Sequence, residues 1–282
     1  MNKLSIIIVS WRVKELLKEC LQSIFDKAGG FDFEVIVVDN NSGDGSAEMV
    51  QENFPQVKLI ASQINLGFAR GNNLGLKQAT GDYFLLLNPD TKLIDNNLTE
   101  AIKFMKNNQQ VGILGCKLLN YDLSLQPSVR RFPNLRDHLV MMFKLHHLFK
   151  LKRYLAEDFD YTKPGEADQV MGAFFLISKK LYRQIGPLDE GYYIWLEEVD
   201  YCQRAKKADF KVFYWPGMQI IHYGGESFKK ARFNLRKNWI YCQSRLRYIR
   251  KHQDPFSYLI ILILTPISLL GSLVKINFRH VK

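Results

Sequence analysis

The segment Asn88-Pro89-Asp90 places two oxygen-bearing side chains around a stiff proline, directly after the apolar run Tyr83–Leu87. Such a run predicts a buried parallel strand, and open α/β sheets bind their ligands just beyond the carboxyl ends of their strands. Carboxylate and amide oxygens suit hard divalent cations, so the segment could hold a cation that in turn binds a nucleotide diphosphate. A common Asn-Pro turn is the competing interpretation, and this segment alone favours it.

Two polar loops are expected at the same edge of that sheet. Ser10 ends the first apolar run, and the loop after the second run extends from Asp39 to Ser46 and includes Asp44. An acid at a strand end, such as Asp39, is suited to hydrogen-bond a base or a ribose. An ordinary Asx/Gly turn with a Ser46 cap explains the loop equally well. The loop does not have the GxGxxG pattern, so a dinucleotide-binding fingerprint is not supported.

A third candidate loop runs from Asn65 to Asn73 and contains Gly67, Arg70 and Asn72. Its glycines would let the backbone approach a ligand closely, and Arg70 could pair with a phosphate. A loop that simply leads into a helix is the alternative.

The second half of the chain supplies a cluster of acids, Glu197, Glu198 and Asp200, directly after an aromatic run that ends at Trp195. Crowded carboxylates beside an aromatic wall would have raised pKa values, which suits a general base. A surface helix whose acids favour its N-terminal dipole is the plainer reading. His222 follows an apolar pair and is either structural or a metal ligand.

The composition indicates a chain that can bury a core and that binds an anionic partner. Of its 282 residues 47% are hydrophobic, and the formal net charge is +11. Charge alone is compatible with nucleic acid, an anionic membrane or a phosphorylated substrate. The four cysteines show no CxxC spacing, which predicts neither a zinc site nor a disulfide framework and fits a reducing compartment.

The C-terminal end differs from the rest. Nine basic residues and no acids lie between Lys229 and Lys251, and the uncharged stretch 256–274 follows. That stretch is just long enough to span a bilayer, but Pro266 and Gly271 interrupt it. A spanning helix, a helix lying on the membrane and a helix packed on the protein all remain open. The basic residues favour an anionic membrane surface, at the cytoplasmic face of the inner or plasma membrane.

Strand and helix patterns alternate in the first half, which predicts a mostly parallel α/β sheet with right-handed crossovers. In the second half a regular pattern returns over Val170–Ser178, followed by an expected helix near Lys179–Gln184, a helix over Glu197–Lys207 and a strand over Lys211–Trp215. Ser46 is expected to cap a helix, and Gly81 to close the helix before it. We expect a domain boundary near Gly225.

Six motifs in order resemble family 2 glycosyltransferases with the GT-A fold, particularly the rhamnosyltransferase-like branch. They are Ile-Ile-Ile-Val-Ser, Val-Val-Asp-Asn-Asn-Ser-Gly-Asp-Gly-Ser, Asn-Leu-Gly-Phe-Ala-Arg-Gly-Asn-Asn, Leu-Leu-Asn-Pro-Asp, Glu-Glu-Val-Asp-Tyr-Cys and Ile-Ile-His. Each motif alone is weak, whereas six at plausible spacing over Lys3 to Phe228 are specific. The fold class implied is α/β: a Rossmann-like, mostly parallel central sheet flanked by helices, with a C-terminal basic and apolar helical tail.

The resemblance implies a domain over 1–225, with a nucleotide-binding half at about 1–118, an acceptor half at about 119–225, and a tail over 226–282. It implies inverting transfer from a nucleotide-diphospho-sugar such as dTDP-rhamnose or a UDP-sugar, with Mg²⁺ or Mn²⁺ held by Asp90 and His222. The acceptor would be a glycan or lipid-linked saccharide in cell-surface polysaccharide synthesis, and nucleic acid is not expected. Donor contacts are implied for Ser10, Asp39, Asp44, Asn65, Gly67, Arg70, Asn72 and Asn88. Acceptor contacts are implied for Gln126, Arg130, Gly172, Ala173 and Trp195.

Two positions depart from the family pattern. Asn88 replaces the first Asp of the usual DxD, and Glu198 stands where an Asp base is usual, so the base could be Glu197, Glu198 or Asp200. A sugar nucleotidyltransferase is one alternative, but the segment after the first strand lacks the glycines of its phosphate loop. A non-catalytic sugar-nucleotide-binding or membrane scaffold protein is another, although the metal-binding and acidic candidates are all present.

Overall fold

The computed structural model describes residues 3–224 and 235–279. Its strands are β1 Lys3–Ser10, β2 Asp32–Asp39, β3 Lys58–Ala61, β4 Tyr83–Leu87, β5 Thr91–Leu93, β6 Val111–Leu119, β7 Leu125–Gln126, β8 Val129–Arg130, β9 Gly165–Ala167, β10 Gln169–Val170, β11 Phe174–Ser178 and β12 Lys211–His222. Its helices are α1 Lys14–Lys27, α2 Ser46–Asn53, α3 Phe68–Leu76, α4 Leu98–Asn107, α5 Leu135–Met142, α6 Lys179–Ile185, α7 Glu197–Lys207, α8 Leu235–His252 and α9 Pro255–Arg279. The boundary expected near Gly225 lies outside the described residues.

One large sheet forms the centre, with the strand order β3-β2-β1-β4-β11-β6-β12-β5. The first four strands in this order are mutually parallel, and β12 is parallel to β6. Strand β11 is antiparallel to both of its neighbours, so β6 and β12 run in the same direction as β4. The sheet is therefore mostly parallel, as predicted, and β1, β2, β4 and β12 all end at one edge.

Alternating side chains build a separate core on each face of the sheet. Along β1, Ile6 and Ile8 pack into a cluster with α1, α2 and α4. Ile7 points the other way, into a cluster that also contains residues of α3, α6 and α7. Since both faces are covered by helices, the strands read as continuous apolar runs rather than as alternating ones.

Helices α8 and α9 pack on the body around a third apolar cluster. This cluster joins Tyr192 and Leu196, which precede α7, to Tyr248 and Ile249 of α8 and Ile261 of α9. Ser268 of α9 donates a hydrogen bond to the Met142 carbonyl of α5 at 3.1 Å. Within 3–224 and 235–279, no helix combines the length and the apolar character needed to cross a bilayer.

Several local predictions were wrong in detail. Helix α2 begins at Ser46, but Gly45 precedes it with a left-handed backbone, and Ser46 does not cap it. Helix α3 ends at Leu76, well before Gly81. Strand β12 continues past Trp215 to His222, which brings that histidine into the sheet.

Candidate active site

The ends of β1 and β2 present two buried oxygens side by side. Ser10 and Asp39 are paired in register, and both side chains are buried. Ser10 Oγ and Asp39 Oδ1 have no hydrogen-bond partner among the described residues. The remaining groups are engaged, since the Ser42 amide donates to Asp39 Oδ2 at 3.2 Å and the Asn40 amide donates to the Ser10 carbonyl at 2.8 Å. A buried oxygen without a partner is costly, so the pair is suited to a polar ligand.

The loop before α3 is tied to the second half of the chain through Asn65. Its Oδ1 accepts hydrogen bonds from Asn40 Nδ2 at 3.1 Å and from the Tyr193 hydroxyl at 2.8 Å. Gly67 has φ +80°, and a Cβ there would lie 2.4 Å from the Tyr193 carbonyl oxygen. The loop and the aromatic run before the acids therefore meet so closely that only glycine fits at position 67.

Three other donor candidates occupy different surroundings. Asp44 accepts from the Lys14 amide at 3.1 Å and from the Ser46 amide at 3.1 Å, so its carboxylate is bonded to the first residues of α1 and α2. Arg70 is exposed and lies 3.8 Å from Glu190 Oε2. Asn72 is buried and donates to the Phe68 carbonyl within its own helix, at 2.9 Å. The structure thus brings Ser10, Asp39 and Asn65 together through Asn40, whereas Asp44, Arg70 and Asn72 are engaged by other partners.

Asn88 lies against the loop between β10 and β11. Its amide donates to the Ala173 carbonyl at 3.0 Å, and its Oδ1 is buried with no hydrogen-bond partner in the described chain. Gly172, the residue before Ala173, lies close to Glu198, since a Cβ added at Gly172 would lie 3.7 Å from Glu198 Cβ. The loop at 172–173 therefore bridges the Asn88 segment and the acidic cluster.

Asp90 and His222 meet at the end of β12. Thr91 of β5 pairs in register with His222, and the Tyr223 amide donates to the Asp90 carbonyl at 2.9 Å. As a result His222 Nε2 lies 3.5 Å from Asp90 Oδ1, and both residues are buried. Nε2 makes no hydrogen bond to any described residue.

Gln126 and Arg130 border this region from β7 and β8. Gln126 Oε1 lies 2.7 Å from His222 Nδ1, which links this predicted acceptor residue to the histidine rather than to open space. Arg130 Nη1 donates to the carbonyl of its neighbour Val129 at 2.7 Å. Burial raises the pKa of Tyr154, with the charge of Arg130 acting against that shift and the charge of Glu198 adding to it. The charges of Arg130 and Glu198 therefore act in opposite directions on the pKa of the Tyr154 hydroxyl.

Glu197 and Glu198 begin α7 immediately after a strained backbone. Trp195 and Leu196 have φ +67° and +71°, a left-handed conformation that costs bulky residues energy and clusters at functional sites. Burial raises the pKa of Glu198, and burial together with the charge of Glu198 raises the pKa of Glu197 well above its usual range. One carboxylate oxygen of each is without a hydrogen-bond partner in the part of the chain described.

Asp200 is held quite differently from its two neighbours. It is fully buried, and its carboxylate bonds Arg204 Nε at 2.9 Å, His252 Nε2 at 2.7 Å and Lys251 Nζ at 2.5 Å. Burial alone would raise the pKa of Asp200, but the hydrogen bonds from His252 and Lys251 and the charge of Arg204 outweigh it and hold the pKa below its usual range. Its carboxylate therefore joins α7 to α8.

The residues around Asp90 fit a hard divalent cation. Carboxylate oxygen, imidazole nitrogen and amide oxygen are ligand types that Mg²⁺ or Mn²⁺ accepts. His222 Nε2 and Asn88 Oδ1 are buried polar atoms with no hydrogen-bond partner among the described residues, and Nε2 points toward Asp90. A cation between Asp90 and His222 would satisfy His222 Nε2, a nitrogen that burial otherwise penalises.

Sequence reasoning missed two sets of contacts that shape the site, one made by Asn40 within the second motif and one made by helix α8, outside the motifs. Asn40 follows Asp39 directly and organises the Asn65 loop, since its Oδ1 accepts from the Leu66 amide at 2.7 Å. Ser244 of α8 donates to the Ile194 carbonyl at 2.8 Å, and Tyr241 packs edge-on against Trp195. The position of Asn40 at a strand end was a usable signal, whereas the long-range contacts of α8 left none in the local sequence.

Comparison with known proteins identifies the architecture. The family model described as Glycosyl transferase family 2 matches residues 5–186. Rhamnosyltransferase WbbL of Escherichia coli (strain K12) is 26% identical over 254 residues, covering 87% of this chain and 92% of that protein. The N-acetylglucosaminyl-diphospho-decaprenol L-rhamnosyltransferase of Mycobacterium tuberculosis (strain ATCC 25618 / H37Rv) is 24% identical over 209 residues, covering 68% of this chain and 67% of that protein.

Two solved structures share the fold. The mannosyltransferase PcManGT from Pyrobaculum calidifontis, in complex with GDP-Man and Mn²⁺, superimposes with a TM-score of 0.60 at 16% identity, over 99% of this chain and 75% of that one. GalNAc-T7 with UDP, GalNAc and Mn²⁺ gives a TM-score of 0.63 at 17% identity, over 79% of this chain and 44% of that one. At these identities the likeness establishes the GT-A fold alone.

Proposed function

The chain belongs to glycosyl transferase family 2, and we propose that it transfers one sugar, with inversion, from a nucleotide-diphospho-sugar to a saccharide hydroxyl. Its likeness to two rhamnosyltransferases favours a deoxysugar donor such as dTDP-rhamnose, with a UDP-sugar as the second choice. A lipid-linked saccharide is the proposed acceptor, because the mycobacterial relative is named for a diphospho-decaprenol acceptor. The product would belong to a cell-surface polysaccharide.

We assign the donor nucleotide to the edge formed by β1 and β2. Ser10 Oγ and Asp39 Oδ1 are buried oxygens with no hydrogen-bond partner in the described ranges, and a ribose or base can supply the missing hydrogen bonds. The Asn65 loop and Gly67 form the adjacent wall, and exposed Arg70 would contact the phosphates from the rim. Residues 1–118 would thus bind the nucleotide, and residues 119–225 the acceptor.

Asp90 and His222 would hold the metal ion, with Asn88 as a supporting contact. When bound, Mg²⁺ or Mn²⁺ would neutralise the charge that develops on the leaving diphosphate. The observation that carries this assignment is the pair itself: two buried ligand-type side chains, 3.5 Å apart, with an imidazole nitrogen that makes no hydrogen bond within the described chain.

Glu198 is the proposed base. Its raised pKa gives it affinity for the proton of an acceptor hydroxyl, and it lies close to Gly172, a residue expected to contact the acceptor. As Glu198 takes the proton, the hydroxyl oxygen attacks the anomeric carbon from the face opposite the diphosphate. The bond to the diphosphate breaks, its electron pair leaves with the phosphate oxygen, and the anomeric carbon inverts in one step.

Helix α9 offers a surface for the membrane that would carry a lipid-linked acceptor. Its exposed side chains include a large apolar set at helical spacing: Phe256, Leu259, Leu262, Ile263, Ile267 and Leu270. Its other side packs on the body, where Ile261 and Thr265 are buried. Basic residues of α8, including the exposed Arg236 and Arg250, add charge complementarity to an anionic surface. We therefore assign α9 to the cytoplasmic leaflet, lying on the membrane.

A donor screen that measures the released nucleoside diphosphate tests the proposal. Purified protein is incubated with nucleotide-sugars of each base, with Mg²⁺, with Mn²⁺ and with EDTA, in the presence of saccharide or lipid-linked saccharide acceptors. We expect release with at least one donor, dependent on metal and on acceptor, and a product of inverted anomeric configuration. Binding of a donor with no release under any acceptor would favour a non-catalytic sugar-nucleotide-binding protein, and pyrophosphate release would favour a nucleotidyltransferase.

A further inference from the structure

We propose that Gln126 is a positioning residue that holds His222 as its Nδ1–H tautomer, so that Nε2 presents a lone pair toward Asp90. The inference rests on the proposed metal-dependent function, because it concerns the histidine assigned to the cation. It gives Gln126 a role different from the acceptor contact expected from the sequence. The basis is a series of hydrogen bonds in which each donor and acceptor can be assigned in turn. It leads to the imidazole through Asp122, Ser124, Asn120, Gln126 and His222.

The outer end of the series is a carboxylate. Asp122 Oδ1 accepts from the Ser124 hydroxyl at 2.5 Å and from the Ser124 amide at 3.0 Å. An ionised carboxylate only accepts hydrogen bonds, so the hydroxyl proton of Ser124 is directed to Asp122. The Ser124 oxygen is then left to accept, and Asn120 Nδ2 lies 2.9 Å from it.

The middle of the series is two side-chain amides with a determined orientation. Because the Asn120 nitrogen faces Ser124, its Oδ1 faces Gln126, and Gln126 Nε2 donates to it at 3.0 Å. The same Nε2 also approaches the His222 backbone carbonyl at 3.3 Å. A carbonyl can only accept, so this second contact orients the Gln126 amide independently of Asp122.

The inner end of the series is the imidazole. With Nε2 of Gln126 committed to two acceptors, its Oε1 faces His222 Nδ1 at 2.7 Å. Since an amide oxygen only accepts, Nδ1 must carry the proton, and in the neutral ring Nε2 then has the lone pair. The opposite tautomer would place an N–H toward Asp90, which would favour a side-chain hydrogen bond over a cation.

The residues of this hydrogen-bond series lie on neighbouring strands of the central sheet and on the turn that joins two of them. Residues 120–124 form the turn between β6 and β7, and Gln126 pairs in register with Leu118 of β6. Strand β12, which ends at His222, lies directly beside β6. The hydrogen-bonding partner of a metal-binding histidine sets its tautomer and ring orientation, and loss of such a partner typically lowers metal affinity about 10–100-fold.

Two separate measurements test the proposal. One determines the tautomer of His222 in the metal-free protein, and the other determines the affinity for Mn²⁺. Two-bond ¹H–¹⁵N correlation spectra above neutral pH distinguish protonated from unprotonated ring nitrogens, and a His222→Gln spectrum assigns the signal among the six histidines. Mn²⁺ affinity is measured by electron paramagnetic resonance titration without donor or acceptor. The variants are Gln126→Leu, which removes the acceptor, and Gln126→Glu, which keeps one.

We expect protonated Nδ1 and unprotonated Nε2 in the native chain and in Gln126→Glu. Gln126→Leu should give a mixture of tautomers and weaken Mn²⁺ binding by about 10–100-fold. Gln253→Leu is the matched control, because Gln253 Nε2 also donates to a backbone carbonyl, that of Pro133, at 2.7 Å. It should change neither readout.

An Nε2–H tautomer in the native chain would overturn the proposal, as would a Gln126→Leu variant with unchanged tautomer and unchanged Mn²⁺ affinity. Failure of the function proposed above leaves a different signature. In that case the tautomer would still follow Gln126, while neither the native chain nor any variant would bind Mn²⁺.

Discussion

His222 Nε2 lies 3.5 Å from Asp90 Oδ1, although the two residues come from opposite halves of the chain. The antiparallel pairing of β5 with β12 creates this contact, because it sets Thr91 opposite His222.

The first prediction follows from the contact between Asp90 and His222. Asp90→Ala should lower kcat roughly 10²–10³-fold, the effect of losing several kcal/mol of charge stabilisation on the diphosphate. Metal titration of nucleoside diphosphate release measures it.

An exposed acid far from this pair supplies the control. Asp26 lies near the end of α1, at the opposite edge of the sheet, and Asp26→Ala should leave both kcat and metal dependence unchanged. Full activity in Asp90→Ala would refute the metal assignment.

The second prediction concerns Glu198 and pH. Burial raises the pKa of Glu198, and only its ionised form can accept a proton, so activity should fall as the pH drops through that raised pKa. The acid limb of the kcat profile should therefore lie above the value of about 4.3 typical of an exposed glutamate. Glu198→Gln should lower kcat about 10²–10⁴-fold and abolish this limb. If Glu198→Gln kept its rate while Asp200→Asn lost it, Glu198 would not be the base.

The third prediction is that Asp200 contributes to stability. Asp200→Asn should lower the free energy of unfolding at neutral pH by about 2–4 kcal/mol, because it breaks a buried ion cluster that joins α7 to α8. Since its folded-state pKa is depressed, this contribution is present above the unfolded-state pKa of about 3.9 and is lost as the pH falls through the lower folded-state value. Denaturant unfolding of both proteins across the acidic range measures it, and a difference that persists undiminished in acid would contradict the ion-pair explanation.

The fourth prediction tests the contact between Gly67 and Tyr193. Gly67→Ala should destabilise the protein and raise the KM for the donor, because the new Cβ would collide with the Tyr193 carbonyl. Gly186→Ala is a matched control, since Gly186 has φ +76° but open space around its Cβ position. The control should cost roughly 1–2 kcal/mol from its left-handed backbone alone and leave the KM unchanged. Equal effects of the two variants on stability and KM would argue against a donor-loop role.

The fifth prediction concerns the apolar face of α9. The protein should bind vesicles that contain anionic lipid more tightly than neutral vesicles, and added salt should weaken that binding. Replacing Phe256, Ile263 and Ile267 together with serine should reduce vesicle binding in a co-sedimentation assay, without loss of turnover on a soluble acceptor. Leu123→Ser, an equally exposed apolar residue on the β6–β7 turn, is the control. Unchanged vesicle binding in the triple variant would refute this orientation.

The sequence by itself determined the central strands and the polar residues that lie at their ends. Apolar runs on β1, β2 and β4 are local signals, and parallel strands with short links must end at one edge, so Ser10, Asp39 and Asn88 could be placed together in advance. The α/β class and the family were confirmed. Five of the six motifs lie at a strand end or within a few residues of one, and the exception is the motif 197–202, which begins α7.

Only the tertiary structure decided which partner each polar side chain has. Two acids at the start of α7 have different surroundings: the docking of α8 brings Lys251 and His252 to Asp200, whereas Glu198 lies close to Gly172. The contact of His222 with Asp90, and the link from Gln126, required an antiparallel β5 and a β12 that continues past its predicted end. Such contacts join residues distant in sequence, and local periodicity carries no information about them because it reports only the face that each residue buries.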